Sequence, residues 1–141
     1  MKSWWILAGA AALAACTDSF DPAVPGKQLS IIEAGIGNPL PAGIVVADTV
    51  KAGLVTIRYY SFGSSSCNRP DGEDVASDAA SVTITAYDIA VAPGTACTAD
   101  FGSYPRDVMV SVPPGPVDIR VHGVGLNGAS TTLHRQVTAL P

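Results

Sequence analysis

Asp107-Val108-Met109-Val110-Ser111-Val112-Pro113-Pro114-Gly115-Pro116-Val117-Asp118-Ile119-Arg120-Val121-His122-Gly123 is the stretch that decides the fold class. Val108, Val110 and Val112 share one phase of a period of two, with Asp107, Met109 and Ser111 on the other. Val117, Ile119 and Val121 oppose Asp118, Arg120 and His122 in the same way. A strand sends successive side chains to opposite faces, so the pattern describes two strands, each with one face in a core and one in water. Pro114-Gly115 between them suits a type II turn, and strands joined so closely are expected to form a meander.

Outward from this pair the same reading places strands at 29–33, 43–48, 54–62, 81–91 and 131–139, with Asn127-Gly128 inside the 123–130 connection. Along 81–91 the apolar phase moves from Val82-Ile84-Ala86 to Ile89-Val91. That shift predicts an extra residue near Tyr87-Asp88, as a bulge or a strand that switches sheets. The 14 glycines and 11 prolines, with apolar content carried by Val, Ile and Ala, favour strands and tight turns over helices. The expected fold is therefore all-β: a single antiparallel two-sheet sandwich of about seven strands.

The first residues carry a different message. Lys2, a short apolar run and then Leu13-Ala14-Ala15-Cys16 resemble the lipobox of bacterial lipoproteins. The run is too short to span a hydrocarbon core of ~30 Å as a permanent helix. The resemblance implies cleavage before Cys16, a diacylglycerol on its thiol and anchoring in the cell envelope by two or three acyl chains. In the lipoprotein family an aspartate after the cysteine goes with inner-membrane retention; Thr17 stands there instead, so the resemblance implies the outer over the inner membrane. The expected division is a signal at 1–15, a lipidated cysteine with a Pro- and Gly-containing tether at 16–28, and the domain at 29–141. Without Lys2 the mature chain has seven Lys and Arg against twelve Asp and Glu, a net charge of −5. The basic residues are scattered singly, so nucleic acid is not an expected partner.

Val50-Lys51-Ala52-Gly53-Leu54-Val55-Thr56-Ile57 resembles the edge strand, Ala-Gly turn and first core strand of bacterial immunoglobulin-like domains. The resemblance covers about residues 39–139 and implies a Greek-key sandwich, an architecture that mostly serves adhesion, spacing or binding. Two departures stand out. Both tryptophans, Trp4 and Trp5, belong to the signal, and the remaining cysteines are not spaced to pin opposing core strands.

Cys67 and Cys97 each follow a strand, and a disulfide between their loops is expected, with roughly 3 to 4 kcal/mol of stabilisation from closing about 31 residues. Cys16 is then the odd cysteine, which lipidation explains. Asp71, Glu73, Asp74 and Asp78 place four carboxylates in eight residues, a set able to ligate calcium, although the spacing is not that of an EF-type loop and a solvated hairpin tip reads as well. His122 and His134 fall on the wet phases of their strands, where two imidazoles could share a zinc ion but lack a third ligand at recognisable spacing. Ser64, Ser65 and Ser66 lack the Gly-x-Ser-x-Gly turn of serine hydrolases and read as a flexible loop. Tyr59 alternates inward with Val55 and Ile57. Tyr60 and Phe62 face the other way, as a binding surface or as a second sheet's core.

The expected function is that of a non-catalytic, lipid-anchored module that binds a protein partner or serves a structural role, without cofactor. Two alternatives stand beside it: an inhibitor or substrate-binding subunit acting through the stapled segment 68–96, and a metal-dependent hydrolase using His122, His134 and the acidic residues.

Overall fold

The computed structural model describes residues 26–35 and 37–141. The lipobox, Cys16 and most of the tether lie outside the described residues. Ten strands follow in chain order: β1 (Lys27–Leu29), β2 (Ile31–Glu33), β3 (Ile44–Val45), β4 (Thr49–Lys51), β5 (Gly53–Gly63), β6 (Pro70–Ser77), β7 (Ser81–Ile89), β8 (Gly102–Val112), β9 (Gly115–Gly125) and β10 (Ser130–Leu140). No helix occurs among the described residues. The all-β expectation holds and the count of seven does not. Strand β1 begins within the expected tether, and the acidic stretch, which has no apolar alternation, is strand β6.

The longest pairing is β5 against β8, antiparallel from Gly53↔Val112 to Gly63↔Gly102. Strands β9 and β10 form a hairpin whose turn is closed by Gly125 N to Ala129 O and Gly128 N to Gly125 O, both 2.9 Å. Strand β7 lies parallel to β9, with β6 antiparallel on its other side. Strand β2 joins the two groups, since Ile31 is opposite Phe62 of β5 and also opposite Val124 of β9. Strand β4 runs parallel to the end of β10. The sheet is therefore mixed, with three parallel pairings where antiparallel ones were expected.

Strands β8 and β9 do not pair with each other, so the expected meander is corrected at that point. Prolines 113, 114 and 116 carry no N–H for a hairpin ladder. The chain instead crosses from the β5 side to the β7 side. The alternation itself is kept: Val108, Val110 and Val112 meet Val117, Ile119 and Val121 in one core with Ile57, Tyr59, Val82, Ile84, Val137 and Ala139. Each such Val or Ile side chain contributes about 1.5–3 kcal/mol on burial.

The expected bulge in β7 is absent. Its inward phase continues from Val82, Ile84 and Ala86 to Asp88, which is fully buried, while Ile89 turns out toward solvent. The bulge is in β6 instead, where Asp71 and Gly72 together oppose Tyr87. Gly72 holds a φ of 85°, a value that an L side chain adopts only with strain. Close to it in space, the chain passes from β1 to β2 through Ser30, whose amide donates to Ala86 O and whose carbonyl accepts from Val124 N, each at 2.9 Å. A Cβ on Gly123 would lie 2.5 Å from the Ser30 carbonyl oxygen, so only glycine lets this crossing lie against β9.

Candidate functional site

The register brings the end of β5, the end of β7, the start of β8 and the end of β9 to one end of the sheet. The chain also enters there, since Ala90 N donates to Gly26 O at 2.9 Å. At this end a disulfide joins Cys67 to Cys97 across a Cα separation of 5.6 Å. It holds the 64–68 turn against the 97–100 segment. The turn is itself closed by Asn68 N donating to Ser64 O at 2.9 Å and by Ser64 N donating to Asn68 Oδ1 at 3.0 Å. Thr98 Oγ1 then lies 3.0 Å from Ser64 Oγ, 3.1 Å from Ser66 Oγ and 3.4 Å from Ser65 Oγ, and donates to Asp100. Asp100 also accepts from Ser65 N at 3.1 Å. The Thr98 hydroxyl and the Ser65 groups hold its carboxyl below the ordinary value of 3.8. Ser65, Ser66, Thr98 and Asp100 face solvent, while Ser64 and Asn68 are half-buried. The serine loop expected to be loose is thus tied by side-chain hydrogen bonds.

Behind this surface is a buried charge cluster centred on Arg106 of β8. Its Nε donates to Glu73 Oε1 at 2.9 Å. Its Nη1 donates to Ser30 Oγ at 2.8 Å and to Asp88 Oδ1 at 3.2 Å. Its Nη2 donates to the carbonyls of Gly72 at 3.0 Å and Tyr87 at 3.1 Å, so every guanidinium donor is used. Ser30 Oγ donates in turn to Asp88 at 2.6 Å, and Tyr59 Oη donates to Glu73 at 3.0 Å. The guanidinium also lies over the Tyr59 ring, 5.5 Å from its centroid. Burial, ahead of the neighbouring charges, pushes the Tyr59 phenol far above its ordinary 10.0. The bulge in β6 makes this possible by aiming the Gly72 carbonyl and Glu73 at the same cation.

The acidic candidates for a cation are dispersed. Glu73 serves Arg106 and Tyr59. Asp78 closes the β6–β7 turn, accepting from Ala80 N at 2.8 Å, Ser81 N at 2.7 Å and Ser81 Oγ at 2.8 Å, bonds that hold its carboxyl below 3.8. Asp71 and Asp74 sit on the outer edge strand. No group of three or more His, Cys, Asp or Glu able to hold a metal occurs among the described residues. His122 lies 3.1 Å from Thr132 Oγ1, whereas His134 lies 3.2 Å from Asp118 Oδ2. The two imidazoles thus engage different partners across the β9–β10 hairpin. Burial would raise the Asp118 carboxyl, but the bonds from Arg120, at 2.6 Å, and from His134 outweigh it and hold the carboxyl low.

Tyr60 and Phe62 do not form a joint surface. Phe62 is fully buried, stacked on Phe101 with centroids 6.2 Å apart and opposite Ile31, so as an exposed platform it is corrected. Tyr60 is half-buried beside Pro105 of β8. The segment between the two cysteines is mostly the β6–β7 hairpin, built into the sheet rather than projecting from it. A recess of about 290 Å³ opens between Glu33, Gly35 and the β9–β10 turn at Gly125, Leu126 and Asn127. It lies at the same end as the stapled loops.

Comparison with family models, with curated proteins and with solved structures finds no match to this chain. The functional reading therefore rests on the residues. The stapled end can exchange hydrogen bonds with a polar ligand through hydroxyls, amides and one carboxylate. The sequence reading missed Arg106 and Asp88, although the signal was present: one more step of two along Val112, Val110, Val108 reaches Arg106, and one beyond Ala86 reaches Asp88.

Proposed function

We propose that this chain is a lipid-anchored binding module of the bacterial cell envelope, non-catalytic, with its acyl chains on Cys16 and an immunoglobulin-like sandwich as its folded part. The observation that carries this reading is the Cys67–Cys97 disulfide, which accounts for two of the three cysteines and leaves Cys16, at the end of the lipobox, as the odd one. A sandwich is supported by one core that takes inward residues from both the β5–β8 and the β7–β9–β10 groups.

The tether from residue 17 to 26 reaches at most about 35 Å. An eleven-residue strand such as β5 is itself about 36 Å long. Because the chain enters at the stapled end, anchoring keeps that end nearest the lipid. The far turns, around Asp78 and Pro113-Pro114, point away from the membrane. On the sheet faces Arg58 bonds to Asp107, and Arg120 and His134 both bond to Asp118.

Mass analysis of the protein from native membranes should find acylated Cys16 at its amino end, and Cys16→Ser should release the chain from the membrane fraction. Cross-linking in intact cells should then capture a partner with the anchored protein and lose it with Cys16→Ser. An unmodified Cys16, or no partner above that of an unrelated lipoprotein, would sink the proposal.

A further inference from the structure

Among the described residues β8 pairs with β5 alone, so its other edge carries a row of backbone N–H and C=O groups without a ladder partner. Edges of this kind recruit strands unless they are blunted by charges, prolines, bulges or inward-pointing ions. The two halves of β8 differ sharply in this respect. Its first half has Pro105, the inward cation Arg106 and Asp107, and Arg106 reaches across to Glu73 and Gly72 of β6. Its second half, Val108-Met109-Val110-Ser111-Val112, has no charge, no proline and high strand propensity.

Among the described residues, backbone without a ladder partner also runs along β10 from Ser130 to Val137, which carries His134 and Arg135, and along β5 from Gly53 to Ile57, which starts at a glycine with a φ of 114°; the remaining edges offer less. Strand β6, paired only with β7, has Pro70, a bulge and Glu73, and Asp74 on its outer phase, so a self-pairing centred there would set like charges opposite each other. Strands β3 and β4 have two and three residues.

The geometry points to a second copy of this chain as the occupant of the β8 edge. The two copies would pair antiparallel about a twofold axis at Val110, continuing the sheet from one molecule into the next. The uncharged stretch is symmetric about Val110, so this register places Val108 opposite the partner's Val112 and Met109 opposite the partner's Ser111. No ionised side chain faces a like charge. The outward face supports the same occupant. Among the described residues Met109 and Leu54 are the most exposed of the large hydrophobic side chains, at 71% and 76%. Leu54 sits beside Ser111 and Thr56 beside Met109 in the β5–β8 ladder. In that register the two Met109 side chains lie diagonally across the axis, and each is also diagonal to the Leu54 of its own chain, with Ser111 and Thr56 in the places between.

Sedimentation velocity of the full chain from micromolar to millimolar concentration tests the inference. The expected result is a concentration-dependent shift from monomer to dimer that Met109→Lys abolishes. That side chain is already in water, so the variant keeps its fold, which an unchanged melting transition verifies. A mixture of Met109→Cys and Ser111→Cys proteins should form the intermolecular disulfide faster than either variant alone. Monomer at every concentration overturns the inference, and protection of the β8 edge amides from exchange in that monomer would assign the edge to a segment of the same chain. Dimerisation that survives Met109→Lys overturns it as well, by placing the interface on another face.

Discussion

Arg106 and Thr98 each draw in at least four hydrogen-bonding groups near the same end of the sheet, but one cluster is buried and the other lies in water. The comparison separates hydrogen bonds that hold a fold from those available to a ligand. Arg106 and Asp88 are shut off from water, with Glu73 partly exposed at the rim, so the buried groups must find their partners within the protein, and removing one leaves a desolvated charge behind. Around Thr98 every bond can be exchanged for one to water or to a binding partner at little cost. The buried cluster joins β6, β7, β8 and the β1–β2 crossing. The exposed one presents hydroxyls on a frame made rigid by the disulfide.

Breaking the buried side should have the largest effect. Arg106→Met leaves Asp88 and Glu73 without their cation and should lower stability by about 3–5 kcal/mol, read from urea unfolding. Next comes the covalent support of the exposed side: replacing Cys67 and Cys97 together by serine should cost roughly 3 to 4 kcal/mol in the chain-entropy model. Loss of stability without loss of the far-UV β signal is the expected pattern. Gly123→Ala pushes the Ser30 carbonyl away from β9 and so loosens Ser30 from Arg106 and Asp88; about 1–3 kcal/mol should be lost, as for other overpacked sites. A melting temperature equal to wild type would refute the close approach.

Acid should then sharpen the contrast. The Asp78, Asp100, Asp107 and Asp118 carboxyls are all held below 3.8 in the folded protein, Asp107 by its bidentate bond from Arg58. Depressed folded values give stability that is present above pH 3.8 and is lost as pH falls through the folded values. Three of these groups are exposed, so the effect is small and screened by salt. Protection of the 64–68 turn amides, relative to the unstructured exchange rate at the same pH, should fall below pH 3.8 while the β5–β8 ladder stays protected. The smallest change is Thr98→Ala, expected to alter stability by no more than about 0.5 kcal/mol while weakening any partner captured by the stapled end. A large loss of stability there would erase the distinction between the two clusters.

The sequence alone determined the all-β class, the inward faces of β8 and β9, the Asn127-Gly128 hairpin turn and the candidate disulfide, because period-two alternation and turn chemistry are local properties. Strand β6 was hidden for the same reason: it is an edge strand whose acids face solvent or Arg106, leaving no apolar alternation to read. Only the tertiary structure decided that β8 and β9 part company, that β7 runs parallel to β9, and that Arg106, Asp88 and Glu73 meet. Those outcomes depend on which distant segments share a ladder, and a cation on an inward phase becomes tolerable only when long-range pairing brings its counter-ions into the same buried space.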